Sequence, residues 1–169
     1  NSANALPATG QSLADLLGRH GYATGMIGKW HLTGDHYHDA EHEIRPADHG
    51  FQWDFGTEVK SVGNGANFWP YVFRDQPIRW LDIETCRLGA SEYLTDRLNL
   101  EAIDFVERHQ QEPFFLYLSH YAPHTILNGR PDLVEKYQKK HPPGKSSRPN
   151  SYISEDAGLG KGDPLHHWA

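Results

Sequence analysis

Cysteine is nearly absent from this sequence. Cys86 is the one cysteine in 169 residues, which excludes an internal disulfide and a multi-cysteine zinc site and leaves the compartment unreadable from cysteine usage. Long apolar runs are missing as well: no stretch approaches the ~20 residues that cross a bilayer, and the amino terminus as given carries no leader pattern. Positive charge is in deficit, with 16 Lys and Arg against 22 Asp and Glu and a net charge of −6. Neither nucleic acid nor an anionic membrane is therefore expected as the main partner, although one local positive pocket is compatible with that balance. Apolar residues make up only 37% of the chain, and the mean hydropathy is −0.70, low for a free-standing domain. The length allows one modest domain with a core. Because the sequence starts at Asn1 rather than Met, it is expected to be a piece of a longer protein.

Sixteen glycines and eleven prolines imply many turns, and between them two stretches share one order of helix, turn, apolar strand and polar loop. In the first, Leu13, Leu16 and Leu17 predict an amphipathic helix from about Ser12 to His20. Thr9 or Ser12 is placed to cap it, and Gly21 suits the left-handed position past its end. Tyr22 to Ile27 follows as a strand, then Lys29 and His31. In the second, Leu94, Leu98, Ala102, Phe105 and Val106 recur at helical spacing between Ser91 and Gln110. Phe114 to Leu118 then reads as a strand covered on both faces, as in a parallel sheet. His120 and His124 sit on the loop that follows. Both units thus put titratable residues beyond the carboxyl end of a strand, where open α/β sheets hold ligands.

The middle of the chain is less regular. Gly50 to Gly56 reads as a tight loop anchored by aromatics, and Tyr71–Arg74 is expected to pair with Ile78–Trp80 across Asp75-Gln76-Pro77. A short helix is expected from Pro131 through Lys140, and residues 141–169 lose periodicity and read as a loop-rich tail.

The run Gly21-Tyr22-Ala23-Thr24-Gly25-Met26-Ile27-Gly28-Lys29-Trp30-His31-Leu32-Thr33-Gly34 carries the most information. On an extended backbone, residues two apart point the same way, so Lys29 and His31 are expected to converge on one small anion while Trp30 anchors the loop by burial. The run resembles the second signature of the sulfatase family, G-Y-x-T-x-x-x-G-K-W-H. Gly50-Phe51 with Phe55-Gly56, Ala102 to Phe105, Pro113 to Leu118 and Ala122-Pro123-His124-Thr125 resemble further family elements, in the family's order. The resemblance extends to about Tyr137.

That resemblance implies an α/β fold, part of an alkaline-phosphatase-like sandwich with a mostly parallel central sheet, incomplete here. Residues 1–140 would be a partial sulfatase catalytic domain and 141–169 its tail. It implies hydrolysis of a sulfate monoester to an alcohol and inorganic sulfate, with a formylglycine nucleophile made from Cys or Ser and a divalent cation, usually calcium. Lys29 matches the family lysine that contacts the sulfate oxygens. His31 matches the histidine beside the formylglycine hydroxyls, expected to take a proton there. His124 matches the histidine that hydrogen-bonds the ester near its bridging oxygen, a task that suits imidazole near neutral pH. The substrate would be a sulfated small molecule or carbohydrate, and the family's compartments are periplasmic, secreted or lysosomal. Without the resemblance, Lys29 also reads as a solvated cation, and His31 and His124 as loop residues packed on aromatics.

The nucleophile signature C-x-P-x-R is absent. Cys86-Arg87-Leu88-Gly89-Ala90 lacks both the third and the fifth residue of it, and no metal ligand is assigned in this chain. The formylglycine and the cation ligands are expected outside it, so the chain alone is expected to be inactive. Thr33 and Ile126 depart from the family's common residues and bear on substrate shape. His36, His38 and His42, among acidic neighbours, have zinc-ligand chemistry but read better as a solvated loop. Asp48-His49 lies in the wrong loop for a metal element, and His120 reads as structural. Two other readings remain at this point: a non-catalytic sulfate- or sulfoglycan-binding remnant, and a phosphate or phosphonate ester hydrolase of the same superfamily.

Overall fold

The computed structural model describes residues 11–32, 44–57, 67–73, 76–77, 83–124 and 129–140. The chain forms two compact units, Asn1–Tyr121 and Ala122–Ala169, and each is described by itself. In the first unit, helix α1 (Leu13–Arg19) leads into strand β1 (Ala23–Gly28). Strands β2 (Trp53–Phe55), β3 (Val72–Phe73) and β4 (Gln76–Pro77) precede the long helix α2 (Leu94–His109) and strand β5 (Phe114–Ser119). In the second unit, α3 spans Pro131–Lys140. The expected tail at 141–169 and the histidines at 36, 38 and 42 lie outside the described residues.

Helix α1 starts where its capping residue stands. Ser12 Oγ accepts from the Asp15 backbone N–H at 2.9 Å, and the Asp15 carboxylate accepts from the Ser12 N–H at 3.2 Å, so two of the orphan donors at the helix start are satisfied. The expected leucine face is not the buried one. Leu13 and Leu16 are 57% and 48% exposed, whereas Ala14 is buried. Ala14 packs with Met26, Trp30 and Phe51 in one core, while the turn at Gly50 lies against the backbone of Asp15.

The sheet has the order β2-β1-β5, with both pairings parallel. β1 is central, and its unbroken burial follows from being covered on both faces. Ile27 joins Phe55, Leu98, Ala102 and Phe105 in one core, beneath α2. Met26 joins Ala14, Trp30 and Phe51 in the other. Alternate residues of one strand thus serve two cores. Gly25 lets the Phe105 ring lie directly on the strand, since a Cβ there would sit 2.6 Å from that ring. α2 takes the expected face, with Leu94, Leu98, Ala102 and Phe105 buried, although Val106 is exposed.

Three expectations are corrected. The aromatic-anchored loop contains β2, in register with β1 at Gly25↔Trp53 and Ile27↔Phe55. The Trp53-Asp54-Phe55 alternation is too short to mark a strand by itself, and the pairing with β1 supplies the order. β5 is not covered on both faces: Phe114, Tyr117 and Leu118 are exposed, and among the described residues β1 is its sheet neighbour. The small hairpin is tighter than expected, with β3 pairing Gln76 and Pro77 themselves.

A buried ionic cluster fixes the start of α2. The Glu92 carboxylate accepts from Tyr71 Oη at 2.6 Å, from the backbone N–H groups of Arg87 and Leu88, and from Arg97. Arg97 also donates to Glu101 at 2.8 Å and to the Thr85 carbonyl at 2.7 Å. Burial pushes Glu92 towards its neutral form, but these donors together with the Arg97 charge outweigh it and hold the carboxyl below its usual range. Glu92→Ala should destabilise the fold by about 3–5 kcal/mol, because it takes one of two carboxylates from the buried Arg97 and the shared acceptor from the Tyr71 hydroxyl and the Arg87 and Leu88 N–H groups. Urea unfolding measures this, and a loss under 1 kcal/mol would contradict the role given to Glu92.

Candidate functional site

The carboxyl ends of β1 and β5 meet at Gly28 and Ser119. Gly28 has φ 98°, and a Cβ there would collide with the Ser119 carbonyl oxygen. Glycine is therefore required both by conformation and by space. The Lys29 N–H donates to that same carbonyl at 2.7 Å. Lys29, half-buried, thus leaves the sheet at its carboxyl edge.

Trp30 is buried as expected. Its Nε1 donates to the Ile44 carbonyl at 3.1 Å, and its ring lies 5.7 Å from His49 and 6.1 Å, edge on, from Phe51. The extended-backbone reasoning for Lys29 and His31 does not hold, however. Gly28 and His31 both have positive φ, 98° and 55°, so the segment turns, and two-residue alternation does not set its directions. The structure brings Lys29 and His31 together on one short loop, with His31 exposed.

The segment that receives Trp30 is clamped in turn. Pro46–His49 forms a 3-10 turn closed by Gly50 at φ 83°. Ser12 Oγ donates to the His49 carbonyl, and Thr24 Oγ1 donates to the Gly50 carbonyl at 2.7 Å. The Thr24 N–H donates to Gln52 Oε1 at 3.1 Å, and the Gln52 N–H returns to Thr24 Oγ1 at 3.1 Å.

Two polar residues lie just past the ends of β2 and β5. Tyr121 Oη donates to the Gly56 carbonyl at 2.7 Å, and next to Gly56 in sequence the Thr57 side chain is fully buried. Thr57 Oγ1 and His120 Nδ1 are buried with no hydrogen-bond partner among the described residues. Thr57 was invisible to sequence reasoning, since one threonine after a glycine carries no pattern. Burial of His120 pushes its imidazole below the usual histidine range. The residue as a whole is half-buried.

His124 belongs to the second unit, where it is half-buried and follows the cis Ala122–Pro123 bond. Among the described residues no group of three or more His, Cys, Asp or Glu side chains could hold a metal ion. Cys86 is half-buried on the loop before α2 and lacks the flanking residues of a formylglycine signature. The described residues therefore fit neither a divalent cation nor a formylglycine. No helix among them is long and apolar enough to cross a membrane.

Comparison with known proteins places this arrangement. The Sulfatase family profile matches residues 1–156. The sulfatase YdeN of Escherichia coli K12 is 31% identical over 169 residues, covering 88% of this chain and 28% of its own length. The N-acetylgalactosamine-6-sulfatase of Canis lupus familiaris is 32% identical over 143 residues, covering 76% of this chain and 25% of its own. Among solved structures, Ps i-CgsB in complex with k-i-k-neocarrahexaose superposes with a TM-score of 0.57 at 26% identity, over 83% of this chain and 33% of that one. The chain belongs to the sulfatase family, and its α/β architecture is that of the alkaline-phosphatase-like fold. It spans about 28% of the length of YdeN.

The buried His120 makes a pH prediction. Below about pH 6.5 the unfolded chain protonates this ring while the folded one resists it. Its contribution is therefore complete above the unfolded value and is lost as pH falls from there through the depressed folded pKa. Relative to the parent, His120→Phe should flatten the stability profile between about pH 7 and 5. Denaturant unfolding across that range measures this, and parallel profiles would contradict it.

Proposed function

We propose that the protein containing this chain hydrolyses a sulfate monoester to an alcohol and inorganic sulfate. The observation that carries the reading is Lys29 at the carboxyl edge of the parallel sheet, on a loop fixed by Gly28 and Trp30, in a chain of the sulfatase family. In this reading the Lys29 ammonium binds the sulfate oxygens and offsets charge that builds on the transferring group, with no proton changing hands. His31 is the acid–base group beside the attacking side, and His124 holds or protonates the leaving oxygen. Sulfate binding is thus assigned to Lys29 and His124, and catalysis to His31 and His124.

A formylglycine and a divalent cation, calcium by family resemblance, would supply nucleophile and Lewis acid. The sequence carries no C-x-P-x-R signature, and the family resemblance puts both the nucleophile and the cation ligands outside this chain. No step is derived through either group, and the chain alone is taken to be inactive. The substrate class proposed is a sulfated carbohydrate. Support comes from two of the similar proteins: one is named for N-acetylgalactosamine-6-sulfate chemistry and the other was solved with neocarrahexaose.

In the full-length protein, Lys29→Ala should lower turnover of a sulfate ester a few hundredfold, about 3 kcal/mol of transition-state stabilisation. Melting temperature should stay near the parent's, because Lys29 is half-buried at a loop. Sulfate release is the readout, with matched phosphate esters run beside it. Near-parental release by the variant, or a preference for phosphate, would overturn the reading.

A further inference from the structure

Outside the residues assigned to sulfate, His49 stands out as a buried titratable side chain with no role in the chemistry. It is 1% exposed, and its Nε2 is buried without a hydrogen-bond partner among the described residues. What the ring does touch is the Trp30 indole, at 5.7 Å between centroids. Trp30 is the residue between Lys29 and His31.

The backbone behind His49 is held unusually well for a loop. Its carbonyl accepts from Ser12 Oγ at the start of α1. The next residue, Gly50, is left-handed and lies so close to Asp15 that any side chain would collide with the α1 backbone. The Gly50 carbonyl is bonded by Thr24 on β1. The His49 ring thus projects from a frame tied to both α1 and β1. Trp30 is pressed from a second direction by Phe51 and held at its Nε1 by the Ile44 carbonyl. A loop that turns through positive φ at Gly28 and His31 has no ladder of its own to define it, so the burial of Trp30 defines it instead.

From this we propose that His49 is a positioning residue for the Lys29–His31 loop. Its ring holds Trp30 so that the residues on both sides meet the anion in productive geometry. The inference rests on the sulfate role of Lys29 and extends it to a residue that does not touch substrate.

The test is a double-mutant cycle in the full-length protein, read by turnover of 4-nitrophenyl sulfate and by calorimetric affinity for inorganic sulfate. His49→Ala should lower kcat roughly 10- to 100-fold, the scale of a ~1 Å misplacement. His49→Phe, which restores an aromatic ring, should recover most of that loss. In a Lys29→Ala background, His49→Ala should cost a smaller factor than in the parent, because one of the two residues it positions is already gone while His31 remains. The same pattern is expected in sulfate affinity. Circular-dichroism melting selects the temperature at which every variant is folded. Parental activity and affinity in His49→Ala would overturn the proposal. So would Phe behaving as badly as Ala, or losses that multiply with those of Lys29→Ala. If instead Lys29→Ala itself leaves both readouts unchanged, the sulfate role of Lys29 fails, and that failure is distinct from any failure at His49.

Discussion

The site depends on one close approach between two parallel strands. At the carboxyl end of β1 and β5, the Ser119 carbonyl occupies the space a Cβ on Gly28 would need, and the same oxygen accepts from the Lys29 N–H. A parallel ladder is evenly spaced and would otherwise run on. Glycine at φ 98° ends it by letting the chain turn out of the sheet while the last interstrand bond is still made. Lys29 is therefore delivered at the sheet's edge rather than within it, where its charge would be buried at high cost.

Beyond that junction, order comes from aromatic burial instead of hydrogen-bond ladders. Trp30 is gripped by Ile44, His49 and Phe51, and the frame that carries these residues is tied back to the caps and edges of α1 and β1. Sequence distance is bridged in both directions: α1 stabilises the turn at Gly50, and that turn supports the loop after β1. The ionic cluster at Glu92 and Arg97 works separately, fixing the start of α2 so that Leu98 can pack in one core with Ile27 and Phe55. Burial of those charges is tolerated because each is met by several donors or acceptors.

Much of this was legible in the sequence, for identifiable reasons. The period of Leu94, Leu98, Ala102 and Phe105 marked α2, Thr9 and Ser12 both offered a cap for α1, of which Ser12 serves, and the apolar run at Phe114 marked β5. The order of the motifs around Lys29, His31 and His124 pointed to the sulfatase family, and the comparisons agree. Features set by tertiary contact were not legible. β2 is three residues long and exists because β1 pairs with it. The buried side of α1 is Ala14 rather than its leucines, set by the core it shares with Met26, Trp30 and Phe51. The turn at His31 departs from extended geometry, so spacing alone misjudged how Lys29 and His31 are presented. Thr57 and the support of Trp30 by His49 had no pattern to announce them.

The claim that the Gly28–Ser119 junction sets the functional loop is tested most directly by Gly28→Ala in the full-length protein, with sulfate release and melting temperature measured together. The added methyl must push β1 and β5 apart and force an unfavourable φ, so melting should fall. Sulfate release at a temperature where the variant remains folded should also fall by more than tenfold. A variant that melts and turns over like the parent would contradict the account. So would one that loses stability while keeping full activity when folded.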